Sequence, residues 1–130
     1  MINPEISPYQ RLGGEAAVRK LVNDFYDYMD SLPQAQHIRA MHPADLSGSR
    51  DKLFKFLSGW LGGPQLYIAE FGHPRLRARH LPFAIGCAER DAWMLCMEKA
   101  LAHTEVDELL RSHLYQSLWK TADHMRNQEE

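Results

Sequence analysis

Four segments of this chain repeat apolar residues at three- and four-residue intervals, and no stretch alternates apolar with polar residues. A helix brings such residues to one face, whereas a half-buried strand needs a period of two. The first stripe is Val18, Leu21, Val22, Phe25, Tyr26 and Met29. The second is Leu53, Phe56, Leu57, Trp60 and Leu61. Trp93, Cys96, Met97, Ala100 and Leu101 make the third, and Leu110, Leu114, Leu118, Ala122 and Met125 the fourth. The pattern predicts an all-α fold with four substantial helices around a shared core.

Glycine and proline divide these segments. Ser7-Pro8 reads as an N-cap followed by proline at the first helical position, and Gly13-Gly14 ends that short helix. A longer helix runs from about Glu15 to about Ser31. Pro33 begins a short turn through Ala40, and His42-Pro43 is a corner. Ser47 or Ser49 is expected to cap the next helix, which Gly62-Gly63-Pro64 stops. Gln65 to Gly72 reads as irregular, and Pro74 to His80 as a short helix ended by Leu81-Pro82. A helix from about Ala88 to His103 precedes the last one, with Thr104 as the expected cap and Asp107 at the third helical position. No repeat or linker interrupts the chain, so residues 1–130 are expected to form one domain, with a short extension over 1–7 and a frayed tail over 127–130.

The formal net charge of −2 argues against a general nucleic-acid binder. No apolar run approaches the roughly 18 residues that span a bilayer. The start Met1-Ile2-Asn3-Pro4-Glu5 has neither a basic region nor an apolar run, so a soluble cytoplasmic protein is expected. Cys87 and Cys96, nine positions apart, would point to opposite faces of one helix and are expected to be buried as small apolar groups. A monomer or homodimer is expected.

The chemistry centres on His80. Arg75, Arg77 and Arg79 precede it at two-residue intervals, and Leu81, Pro82 and Phe83 follow. A histidine at a helix end ordinarily caps the last carbonyls. Here it stands between guanidinium groups and an apolar surface, which suits a flat apolar ligand with a central metal and carboxylates on its rim. Haem is such a ligand, and histidine is its commonest proximal partner in oxygen-binding proteins. Arg77 or Arg79 is placed to reach a carboxylate there, whereas Arg75 reads as solvated. The chain has no CxxC, HExxH, GxSxG, P-loop or dinucleotide fingerprint. Tyr26 and Trp93 lie on apolar stripes, where such residues are usually core. In an apolar cavity their O–H and N–H would be donors for a diatomic ligand with partial negative charge. His42 is a possible third donor, although a histidine at such a corner ordinarily faces solvent.

From about Tyr9 to about Met125 the chain resembles the truncated haemoglobins, and among them the bacterial group II (O-type) branch. The resemblance rests on Gly13-Gly14, Phe25-Tyr26, His42-Pro43-x-Asp45-Leu46, Gly62-Gly63-Pro64, Gly72-His73-Pro74, Arg77-x-Arg79-His80-x-Pro82-Phe83-x-Ile85 and Glu89-Arg90-Asp91-Ala92-Trp93. It implies a two-over-two helical sandwich enclosing haem b. His80 then matches the proximal iron ligand, Tyr26 the distal tyrosine and Trp93 the distal tryptophan. Arg79 matches a propionate partner, as do Lys52 and Tyr67, while Leu53 and Phe56 match the apolar distal wall. His42 stands where group II members often carry tyrosine or phenylalanine, which makes the distal side more polar.

On that resemblance a five-coordinate haem protein with a polar distal pocket is expected, binding dioxygen with high affinity and slow release. The alternative is a haem-dependent redox enzyme that consumes peroxide or converts nitric oxide, with Tyr26, His42 and Trp93 as its catalytic residues. Either form of turnover needs an external electron donor, because no reductase domain is fused to the chain. A haem-free structural module would instead be colourless.

Overall fold

In the computed structural model, which describes residues 6–128, every regular element is helical. Helix α1 (Pro8–Leu12) begins as expected: the Gln10 backbone N–H donates to Ser7 Oγ at 3.2 Å. Helix α2 spans Glu15–Ser31, and the Leu32-Pro33 step ends it. A 3-10 turn over Pro33–Ala35 and the short helix α3 (Gln36–Arg39) lead to the His42-Pro43 corner. Then follow α4 (Ser47–Trp60), α5 (Leu66–Phe71), α6 (Leu76–His80), α7 (Cys87–Leu101) and α8 (Glu108–His124).

Helices α2 and α4 form one layer, α7 and α8 the other, and the layers meet chiefly where α2 crosses α7. This is the two-over-two sandwich. Its core is where the stripes placed it: Val18, Phe25, Met29, Cys96, Met97 and Ala100 are fully buried. Burial pushes the Cys96 thiol up to about 11, so it stays neutral. Cys87 is only half-buried, with Arg126 Nη1 at 3.7 Å from its sulfur. The turn after α4 requires its two glycines. Gly62 has φ +92°, and a β-carbon on Gly63 would lie 2.4 Å from the ring of Tyr9.

Four local expectations fail, each for a physical reason. Residues 66–71 are helical rather than irregular. A helix of six residues is too short to show a periodic stripe. Neither Ser47 nor Ser49 caps α4; Asp45 Oδ1 instead accepts from the Ser47 backbone N–H at 2.9 Å and from its hydroxyl at 2.6 Å. Thr104 closes α7 by donating to the Leu101 carbonyl, while Asp107 caps α8 by accepting from the Leu110 N–H at 2.8 Å. A carboxylate is the stronger acceptor for these backbone donors. Finally, Asn127 is not frayed, because it is hydrogen-bonded to the segment after α6; Glu129 and Glu130 lie outside the described residues, as do residues 1–5. No described helix is long and apolar enough to cross a membrane.

Candidate functional site

The polar candidates gather where α2, α7 and the corner after α3 meet. Tyr26 is buried, with its ring edge-on to Phe25 at 4.9 Å between centroids. Phe25 in turn lies 4.9 Å from Trp93 on α7. His42 is half-buried, and its ring meets that of Tyr26 edge-on at 5.8 Å. The stripe that packs α2 therefore also aims Tyr26, and Phe25 is the wedge that sets Tyr26 and Trp93 on one side of the core. Trp93 is half-buried rather than enclosed.

Hydrogen bonds fix the tautomers. His42 Nδ1 lies 2.8 Å from the Ile38 carbonyl, which can only accept. The proton is therefore on Nδ1, and Nε2 of the neutral ring is an acceptor. The expectation of His42 as a donor needs this correction: it donates from Nε2 only as an imidazolium. Tyr26 is different. Burial pushes its phenol far above the ordinary range, and Arg50, whose guanidinium carbon lies 5.8 Å from the ring, pulls weakly the other way. Tyr26 is a protonated donor throughout the physiological range.

The tips of these groups have no hydrogen-bond partner among the described residues, and no fully enclosed polar side-chain atom is left unpaired. The Tyr26 hydroxyl, the Trp93 indole N–H and His42 Nε2 must therefore open onto accessible space.

A second cluster forms the rim. Helix α5 carries Tyr67, which is buried, 6.4 Å from Phe56 and 4.9 Å from Phe71. Leu53 and Phe56 are half-buried on α4. Lys52 Nζ lies 5.8 Å from the Phe71 ring, and the Arg79 guanidinium carbon lies 5.8 Å from the Tyr67 ring. Lys55 Nζ also lies 5.7 Å from the Phe71 ring, so three cations approach this aromatic pair. Lys55 is in addition paired with Asp51 and Glu70. Phe71 escaped the sequence reading together with its helix.

Helix α6 presents His80. None of its five residues is buried, and it makes no extensive packing contact with another helix among the described residues. His80 Nδ1 lies 2.6 Å from the Leu76 carbonyl. The proton again sits on Nδ1, so Nε2 carries an available lone pair. Leu81 and Phe83, just after it in the chain, and Ile68 and Phe71 on α5 are large apolar groups left 39–54% exposed. Arg77 does not face this surface, since it donates to the Arg126 carbonyl at 3.4 Å. Arg75 is exposed, in a left-handed backbone conformation with φ 46°.

These residues fit haem. His80 offers a lone pair, exposed apolar side chains follow it in the chain, cations lie over the Tyr67–Phe71 pair, and the polar tips of Tyr26, Trp93 and His42 are unpaired among the described residues. Among the described residues no three His, Cys, Asp or Glu side chains converge as a bare ion would require.

Comparison with known proteins agrees. The model of the bacterial-like globin family matches residues 7–127. A group 2 truncated haemoglobin of Bacillus subtilis is 42% identical over 124 residues, 95% of this chain and 91% of that protein. The structure of a cold-adapted truncated haemoglobin from the Antarctic bacterium Pseudoalteromonas haloplanktis superposes with TM-score 0.92 at 48% identity, covering 95% of this chain and 99% of that one. A group II 2-on-2 haemoglobin from Agrobacterium tumefaciens superposes with TM-score 0.93 at 46% identity, covering 99% and 100%. With its stacked helix pairs, its family-model match over residues 7–127 and these relatives, this chain belongs to the bacterial-like globin family, among the group II truncated haemoglobins.

Proposed function

We propose that His80 Nε2 is the proximal iron ligand, and that the chain binds dioxygen, and also nitric oxide, at a five-coordinate haem b with high affinity and slow release. As a truncated globin the chain is a haem-based ligand-binding protein. When bound, the haem supplies the iron at which a diatomic ligand is held. On this reading Lys52, Tyr67 and Arg79 hold the propionates, and Leu53 and Phe56 line the apolar wall. Residues 7–127 make one globin domain, monomeric or dimeric, in the cytoplasm.

The observation that carries the reading is the pair of donors left unpaired on the distal wall, the Tyr26 hydroxyl and the Trp93 indole. A hydrogen bond to a charged acceptor is worth about 1.5–3 kcal/mol, and each 1.4 kcal/mol is about tenfold in an equilibrium or a release rate. Two such donors slow release by orders of magnitude, which suits a catalyst or sensor better than a carrier that must unload. Stopped-flow release from Trp93→Phe tests this. The expected outcome is release about tenfold to hundredfold faster than wild type; equally fast release from both proteins overturns the distal-donor role. The absorption spectrum tests the proximal role, with a Soret band expected in wild type and lost in His80→Ala.

One observation favours a second reading, peroxide consumption driven by an external electron donor. His42 Nε2 is an acceptor beside Tyr26, so the distal side has a group able to take up a proton. Against a strong peroxidase, His80 donates to a backbone carbonyl rather than to a carboxylate, and its ring is less electron-rich for it. Peroxide turnover unchanged in His42→Ala removes that histidine from the reaction.

A further inference from the structure

The segment that carries His80 has little to hold it. Helix α6 buries nothing, and Leu81, Pro82, Phe83 and Ala84 are all exposed. Among the described residues, the hydrogen bonds from 73–84 to any other part of the chain all end at the exit of α8. One is Arg77 to the Arg126 carbonyl. The others come from a single side chain. Asn127 Nδ2 donates to the His80 carbonyl at 3.3 Å and to the Phe83 carbonyl at 2.7 Å. The Ile85 N–H donates to Asn127 Oδ1 at 2.9 Å, and the Asn127 N–H donates to the Ile85 carbonyl at 2.8 Å.

This set specifies the residue type. Two carbonyls must face an NH₂ and one N–H must face an oxygen, so the amide orientation is determined by its partners. Aspartate offers no donor, and alanine offers neither group. The exit of α8 is itself anchored. Asp123 Oδ1 accepts from Arg90 Nη1 at 2.7 Å and from Arg126 Nε at 2.6 Å, which ties the end of α8 to the start of α7.

We propose that Asn127 is a positioning residue for the proximal histidine. It transmits the fixed frame of α7 and α8 to a helix that has no fully buried residue. The His80 ring is set within α6 by the Leu76 carbonyl, and Asn127 sets α6 against the core. The proposal rests on His80 as the iron ligand, and the experiment separates the two.

The test uses the full chain, haem-loaded as wild type, Asn127→Ala and Asn127→Asp, and mixed with haem as His80→Ala. Three quantities are read: the iron–histidine stretching band of the ferrous ligand-free protein by resonance Raman, haem transfer to a scavenging apoglobin, and thermal unfolding. Asn127→Asp is isosteric and keeps the acceptor for Ile85, but it replaces the donors with a carboxylate oxygen that faces the His80 and Phe83 carbonyls. Both Asn127 variants are expected to shift or broaden the band and to lose haem roughly tenfold faster, as the loss of the hydrogen bonds to the His80 and Phe83 carbonyls implies. A general structural role would lower the unfolding temperature without moving the band. An unaltered band and unaltered haem loss in Asn127→Asp overturn the proposal. If Asn127→Ala fails to fold, the aspartate variant decides. An iron–histidine band retained in His80→Ala overturns the ligand assignment instead.

Discussion

The two faces of the site are built in opposite ways. The distal face grows out of the core: Phe25 is fully buried, Tyr26 sits on the same stripe, and Trp93 leans on Phe25 from α7. The proximal face is carried by α6, which buries no residue and depends on local hydrogen bonds and on Asn127. Distal donors are thus organised by the same burial that folds the protein. His80 is organised by polar contacts, with Leu81 and Phe83 exposed beside it. On the proposed reading, selectivity among ligands belongs to the rigid half and cofactor capture to the loose half.

This contrast can be broken most severely at Phe25. Phe25→Ala is expected to destabilise the apoprotein by about 3–5 kcal/mol, measured by urea unfolding, and to displace both Tyr26 and Trp93. A cost below about 1 kcal/mol would show that the distal wall is not core. Next comes Tyr26→Phe, expected to speed oxygen release by about tenfold to hundredfold with little change in haem retention, because it removes one donor and no packing. Hydrogen exchange sharpens the comparison further. In the apoprotein, amides of 76–80 are expected to exchange as open chain and those of α2 to stay protected. Haem loading should protect α6 selectively, and equal protection of both before loading would erase the difference. Smaller again is Phe83→Ala, expected to change apoprotein stability by under about 0.5 kcal/mol while increasing haem loss.

The smallest effect is with acid. Hydrogen bonds from Arg90 and Arg126 hold the Asp123 carboxyl below the ordinary 3.8, and the Leu110 N–H does the same for Asp107. A carboxyl whose folded value is depressed stabilises the fold above its unfolded value. That contribution is lost as pH falls below 3.8 toward the folded value. Both ends of α8 therefore loosen in that window, and haem should leave faster there than at pH 5. Asp123→Asn should flatten the dependence, because its side chain does not titrate.

Legibility followed burial. The stripes of α2, α4, α7 and α8 were readable because each long helix repeats its apolar face several times. Tyr26 and Trp93 were readable as members of those stripes, and His80 through its unusual neighbours. The cap by Asp45, helix α5 with Phe71, and the clamp by Asn127 were not. Asp45 and Asn127 act through hydrogen bonds of one side chain, Asn127 across a separation of some forty residues, which leaves no local period. The donor role assigned to His42 was reversed by one carbonyl, that of Ile38, four positions back.

Sequence alone determined the all-helical class, the four long helices, the family resemblance and the identity of the candidate iron ligand, because periodicity and local composition are properties of neighbours along the chain. Tertiary structure decided which cations approach Tyr67 and Phe71, and what holds α6 in place. Those outcomes depend on groups that only folding brings within hydrogen-bond or van der Waals reach.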